Sequence, residues 1–225
     1  MKHLKESFLV LGLGRFGSSV LKELARLGYD VVGADKNEKV LQDEELQDAA
    51  SYLAEGDVTS TAFLEELNVT NFDAVVVSMG DDFESAILTV LALKDLGCET
   101  VYAKANDQKR GRGLKGAGAT DVFFPEEETG RRVAYHIANP GILQYIRLSP
   151  YCSGLEMTVP EDFIGKSLTE LDFRNRYKAL VVMVTSQTEE TPVVSPAPDY
   201  IFQPGDTIFT VGAEKDLERL RRKFY

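Results

Sequence analysis

Gly12, Gly14 and Gly17 stand in the order G-x-G-x-x-G inside the stretch FLVLGLGRFG, directly after an apolar run and directly before a segment of helical periodicity. That order has a chemical use. The first glycine lets the chain turn tightly, the second lets backbone approach a pyrophosphate, and the third lets a helix pack closely on a strand. The start of that helix offers unpaired N–H groups and a partial positive charge to the phosphate. Asp35 closes the next apolar run 18 residues beyond Gly17. A carboxylate at that spacing accepts hydrogen bonds from ribose hydroxyls and repels a 2′-phosphate, which disfavours NADP. Arg15, inside the loop, carries a guanidinium that can meet a phosphate in a bidentate way. The joint pattern predicts nucleotide binding. The same residues would also serve a plain strand–helix turn with Asp35 and Arg15 solvated.

Two further stretches fall where ligands bind in such sheets, at the carboxyl ends of expected strands. EGDVTS puts Gly56, Asp57 and Val58 where they border a base, and SMGDD puts Ser78, Met79 and Gly80 near ribose and phosphates. Ordinary loop chemistry is the alternative for both. A dehydrogenase needs a proton donor or acceptor beside a substrate. The chain has two histidines, His3 and His136. The first lies in the N-terminal tail and the second on a helix beyond the sheet, where a surface role fits better than that of a base. There is no G-x-S-x-G. These absences point to binding rather than catalysis.

The elements that must position these residues are legible as a rhythm. Strands are expected at 8–12, 30–34, 51–55, 73–79, 100–105 and 121–125, apolar almost throughout, as strands covered on both faces are. Between the first two, Phe16, Val20, Leu21, Leu24 and Leu27 form one helical stripe that Gly28 ends. Residues 86–96 are apolar nearly all round and predict a well-buried helix. KRGRGLK (109–115) lacks interleaved aromatics and reads as a solvated helix face rather than a nucleic-acid patch. Strand–helix alternation predicts right-handed crossovers and a doubly wound parallel α/β sheet. After Pro125 come a helix over 126–138 stopped by NPG (139–141), strand-like text from Ile146, a short helix over 167–173, an exposed loop over 188–199 and a closing helix over 215–224. This is a small C-terminal α+β lobe. The expected organisation is a nucleotide-binding lobe at 1–125, a crossover or dimerisation segment at 126–146 and a C-terminal lobe at 147–225.

Composition narrows the function. The 225 residues fit one domain plus a small second one. A formal net charge of -11 argues against a nonspecific nucleic-acid binder, because phosphate repels an acidic surface. Cys98 and Cys152 make no C-x-x-C pair and suggest two packed thiols in a reducing cytosol. The N-terminal apolar run leads straight into glycines and is no signal peptide, and no stretch approaches the ~20 apolar residues of a membrane helix. The chain is expected to be soluble, with docking on a membrane protein left open.

FLVLGLGRFGSSVLKELARLGYDVVGADKNE, VVVSMGDDFESAILTVLALKDLG, VYAKAND, LKGAGATDVFFPEEETGRRVA and VVSPAPDYIFQPGDTIFTVG together resemble the RCK (KTN) family, KtrA/TrkA type, over nearly the whole chain. The resemblance implies a Rossmann-like lobe and regulation of potassium uptake. It implies dimers that assemble into an octameric ring in the cytoplasm, against a membrane-embedded potassium-translocating subunit. ATP, ADP or NAD(H) would be held by Gly12, Gly14, Arg15, Phe16, Gly17, Asp35, Asn37, Asp57, Ser78, Gly80 and Lys104, with Lys36, Val58 and Met79 beside them. Glu126 matches the family acid that helps hold a divalent or monovalent cation near the terminal phosphate at the dimer interface. From the sequence alone, Glu126 serves equally as a helix N-terminal carboxylate. Arg131 and Arg132 are candidates to reach across from a second subunit. In the C-terminal lobe, Ile164, Arg174, Asn175 and Pro196 lie where relatives bind cyclic di-AMP. EGDVTS departs from the pattern: it carries an acid where such relatives often carry Asn, which leaves the nucleotide preference open. A small NAD-dependent oxidoreductase and an NAD(H)-binding redox sensor are the rival readings.

Overall fold

The computed structural model describes residues 7–138, 141–186 and 191–224. The chain divides into two compact units, Met1–Glu128 and Thr129–Tyr225.

In the first unit the expected strands become β1 (Ser7–Leu11), β2 (Asp30–Asp35), β3 (Tyr52–Glu55), β4 (Ala74–Val77), β5 (Val101–Lys104) and β6 (Asp121–Phe123). All pair in parallel, in the order β3-β2-β1-β4-β5-β6. That order reverses direction between β1 and β4, and a reversal opens a crevice above the strand ends. The strands are apolar on both faces because both faces are covered. Leu9, Leu11, Val75 and Val77 join one buried cluster, while the intervening Val10 and Val76 join another.

Helices α1 (Arg15–Arg26), α2 (Glu38–Leu41), α3 (Glu44–Ala49), α4 (Thr61–Glu66), α5 (Phe83–Asp95), α6 (Gln108–Gly116) and α7 (Pro125–Ala138) fill the connections. Several start on a side-chain cap: Asn37 accepts from Lys39 N, Asp43 from Leu46 N, Asp82 from Ser85 N and Asp107 from Arg110 N. Two burial expectations need correcting. Leu27 follows α1 and is 56% exposed, so the buried stripe ends a turn early. In α5, Ala86, Thr89, Val90 and Leu93 are buried, but Leu88 and Leu91 face outward. An all-apolar helix on the surface of a sheet still has one side that the sheet cannot reach.

The second unit holds a five-stranded antiparallel sheet, ordered β10 (Val193–Val194), β9 (Ala179–Thr185), β11 (Thr207–Gly212), β8 (Ser153–Thr158) and β7 (Ile142–Arg147). Helices α8 (Phe173–Tyr177) and α9 (Glu214–Phe224) belong to it. The helix expected over 167–173 lies instead at Phe173–Tyr177. Ser167 bridges Ile201, its N–H and hydroxyl donate to Glu170, and Thr169 donates twice to Pro198 O. These side-chain bonds compete with helical ones. Asp172, at φ +45, then breaks any helix that would run through. The loop expected over 188–199 lies partly outside the described residues, and its Val193–Val194 pairs with Val184 and Met183 as an edge strand. The NPG stop lies largely outside them, as does His3.

An aromatic cluster centred on Phe163 holds this unit. Its ring centroid lies 4.9 Å from Phe224, 5.5 Å from Tyr177, 5.8 Å from Phe173 and 6.3 Å from Phe202. Phe163→Ala is expected to destabilise the unit by about 3–5 kcal/mol. Denaturant unfolding followed by tyrosine near-UV dichroism measures this, and a loss below about 1 kcal/mol would contradict it.

Candidate functional site

The glycine loop is built by three contacts. Gly12 sits at φ +88, a conformation that costs a side-chain-bearing residue, and its N–H donates to Ala34 O at 2.8 Å. Gly17 allows the close approach of α1 to the end of β1: a Cβ there would lie 2.0 Å from Gly12 O. Gly14 is the opposite case. It is extended, at φ -65 and ψ -177, and a Cβ would meet nothing within 4 Å. Only this glycine of the three faces open space, on the side from which a ligand would come. Arg15 begins α1 and is exposed beside it. Phe16 is half-buried in the same turn.

Asp35 does more than end β2. Its Oδ2 accepts from Leu13 N at 2.6 Å and its Oδ1 from Asn37 N at 2.9 Å. The carboxylate therefore ties the glycine loop to the start of α2, and a carboxylate has lone pairs left for ribose hydroxyls.

On the other side of the loop lies a recess of about 130 Å³ lined by Gly12, Asp35, Lys36, Asp57, Val58, Thr59, Met79, Asp82 and Ser85. Sites for whole ligands run to about 300–1,000 Å³, so this recess takes one end of a ligand. Its charge says which end. Thr59, through its N–H and its hydroxyl, holds Asp57 below the usual carboxylate range, and Lys36 adds to this. Ser85, through its hydroxyl and N–H, does the same for Asp82. Ionised acids accept hydrogen bonds and repel phosphate. The recess suits a nucleoside's hydroxyl and amino groups, and leaves the phosphates to Gly14, Arg15 and the N-terminus of α1. Ser78 Oγ is enclosed at this loop without a hydrogen-bond partner among the described residues.

A second cluster forms at the end of β5. Lys104 is largely buried, and a Cβ at Gly80 would lie 2.8 and 2.9 Å from its Cε and Cδ, so its stem runs under that glycine. Its Nζ meets Glu126 Oε1 at 2.7 Å. That contact holds Glu126 below the usual carboxylate range, while Asp81 opposes the shift. Asn106 donates to Asp81 Oδ1 at 3.0 Å.

Comparison with known proteins decides the family. The TrkA-N domain model matches residues 8–125 and the TrkA-C domain model residues 155–225. The chain belongs to the TrkA family, of the KtrA/TrkA type. Ktr system potassium uptake protein C of Bacillus subtilis (strain 168) is 32% identical over 220 residues, covering 98% of each chain. The GsuK channel superposes with a TM-score of 0.69 at 18% identity over all of this chain and 40% of that one. The GsuK channel bound to NAD superposes at 0.54, again at 18% identity, over 97% of this chain and 38% of that one. At that identity the GsuK likeness is one of fold.

In this TrkA-family chain the structure gathers Gly12, Asp35, Lys36, Asp57, Val58 and Met79 around one recess, with Gly14, Arg15, Phe16, Gly17 and Ser78 at the loop above β1. Asn37 donates its N–H to Asp35 and caps α2. Gly80, Lys104 and Glu126 form the separate cluster. Thr59, Asp81, Asp82, Ser85 and Asn106 were not foreseen, although Asp82 and Ser85 carry the N-cap spacing that could have marked them. His136 is exposed, and its Nδ1 lies 3.2 Å from Ile142 O. Glu126 faces an ammonium, and no group of three or more His, Cys, Asp or Glu placed to hold a metal occurs among the described residues. Among the described residues no helix is long and apolar enough to cross a membrane.

Proposed function

We propose that this chain is a nucleotide-sensing regulatory subunit of a potassium-uptake system. The observation that carries the reading is the glycine loop over an acid-lined recess, in a chain matching a Ktr system protein over 98% of its length. The adenosine end of ATP, ADP or NAD(H) enters the recess, with Asp35 on the ribose and Asp57 facing the base. The phosphates lie on Gly14, Arg15 and the first turn of α1, with Ser78 and Gly80 beneath. The GsuK channel, alike in fold, has been solved with NAD. Residues 1–125 sense the ligand, 126–146 cross over and pair with a second copy, and 147–225 form the C-terminal lobe. That lobe takes cyclic di-AMP near Ile164, Arg174, Asn175 and Pro196.

The subunits dimerise, assemble as an octameric cytoplasmic ring and dock on the inner face of a membrane-embedded potassium-translocating partner. Nucleic acid is no part of this reading, and no reaction is catalysed. A third phosphate extends the negative charge toward Arg131 and Arg132 of a second copy, which ADP cannot do. A ligand shifts such an assembly only by its differential affinity for the two shapes. A tenfold preference per site is about 1.4 kcal/mol, and eight sites compound it. Small-angle scattering of the purified protein with ATP and then with ADP is expected to give two distinct profiles. Identical profiles with both nucleotides bound would defeat the mechanism, and turnover of NADH with a substrate would favour the oxidoreductase.

A further inference from the structure

We propose that a recess between α9 and the β7–β8 hairpin is a second ligand site, shaped for a free aliphatic α-amino acid of valine to leucine size. It lies wholly in the second unit, shares no residue with the nucleotide recess, and stands without the nucleotide reading.

The recess comes from how three elements meet. Glu214, Leu217, Glu218 and Arg221 fall at i, i+3, i+4 and i+7, so they share one face of α9. Tyr145 and Leu155 are cross-strand partners beneath that face, and Ile142 begins the same strand as Tyr145. Together they enclose about 80 Å³. Ile142, Leu155 and Leu217 are each 1% exposed and make an apolar floor. A cavity of about 150 Å³ lined by apolar side chains holds benzene, so this one takes a branched group of three or four carbons.

The rim is polar and carries both signs. The Tyr145 hydroxyl shares a hydrogen bond with Ser153 Oγ at 2.9 Å and donates to Glu214 Oε1 at 3.3 Å, which holds the tyrosine at the mouth. Glu218 is engaged by Arg222 at 2.6 Å, and Arg221 reaches it only at 3.5 Å. A guanidinium has five donors, so Arg221 keeps several for a ligand. Glu214 meets that one hydroxyl and no cation among the described residues. One carboxylate and one guanidinium over an apolar floor match a zwitterion with an aliphatic side chain. The ammonium goes to Glu214, the carboxylate to Arg221 and the side chain to the floor. The lysine side chain of a protein does not suit the recess. Its charged end would enter first and leave the ammonium among Ile142, Leu155 and Leu217.

The test is isothermal titration of the full chain with leucine, valine, alanine, phenylalanine, isoamylamine and 4-methylpentanoate. Leucine and valine are expected to bind with a Kd on the order of 0.1–1 mM. Alanine leaves the floor bare and phenylalanine overfills it, so both are expected to bind at least about tenfold more weakly. Isoamylamine lacks the carboxylate and 4-methylpentanoate the ammonium, and each is expected to lose about tenfold. Glu214→Gln and Arg221→Gln change only rim groups, so both are expected to fold and each to weaken leucine about tenfold. Should Arg221→Gln unfold, Arg221→Lys keeps the charge, loses the planar fork and is expected to fall between it and the wild type. Leucine that gives no saturable heat overturns the site. So does alanine or phenylalanine binding as tightly as leucine, which would leave the floor without a role. Isoamylamine matching leucine, or leucine affinity unchanged in either rim variant, overturns it as well.

Discussion

Gly17→Ala is expected to destabilise the first unit by about 3 kcal/mol, lowering its melting temperature by roughly 6–12 °C, and to remove nucleotide binding. The added methyl would sit 2.0 Å from Gly12 O and 3.0 Å from Ser78 Oγ. The first neighbour is backbone, and it cannot retreat: Gly12 N is bonded to Ala34 O, and Ser78 N to Leu11 O, so the loop is fixed to both flanking strands. Helix α1 must move instead, taking its N-terminal N–H groups out of register with the recess. Gly14→Ala separates this steric effect from ligand contact. At φ -65 with nothing within 4 Å, it costs the fold only a helix-cap preference, under about 1 kcal/mol. Its methyl projects where the phosphates would approach, so affinity for ATP is expected to fall more than tenfold with nearly unchanged melting. A Gly14→Ala chain that binds ATP normally takes the second glycine out of the site. A Gly17→Ala chain that melts like the wild type means that the helix and strand are not packed as tightly as their geometry says.

The sheet and the glycine loop were legible because each depends on local pattern. β4, Ala74–Val77, is buried at every position, and its sequence AVVV says so directly. What stayed hidden depends on long-range pairing. Asp35 and Leu13 are 22 residues apart, as are Lys104 and Glu126, and no spacing rule joins either pair. Both acids were singled out, one for ribose and one for a helix start or a cation, but the groups they meet inside the protein were not foreseen. The misplaced helix at 167–173 has the same origin. Leu168 and Leu171 have helical spacing, but Ser167 and Thr169 spend their hydrogen bonds on Glu170 and Pro198, and Asp172 turns left-handed. The exposed Leu88 and Leu91 show a further limit: hydropathy tells that a helix is apolar, not how much of it one sheet can cover.

Asp35→Ala is expected to weaken ATP and NAD by about 10- to 100-fold, because one carboxylate does two jobs. It accepts from Leu13 N at 2.6 Å and thereby sets the curve of the loop between Gly12 and Gly14. A hydrogen bond to a charged group contributes about 1.5–3 kcal/mol, and removing it leaves the Leu13 N–H to find another acceptor. In the nucleotide reading the same group also accepts from the ribose. The two jobs separate by substitution. Asp35→Asn keeps one carbonyl oxygen that can still receive Leu13 N–H but turns an amide donor toward Asn37 N, so the loop is weakened less than in Asp35→Ala, while the charge that rejects a 2′-phosphate is gone. Titration calorimetry is then expected to show Asp35→Asn closer to wild type for ATP than Asp35→Ala is, with the NADP-to-NAD preference shifted toward NADP in both. Loss of ATP affinity without any shift toward NADP would leave Asp35 as a loop brace and remove it from the ribose. Unchanged affinity for ATP and NAD would remove it from both, because a carboxylate whose loss alters neither the loop nor the ligand cannot be holding either.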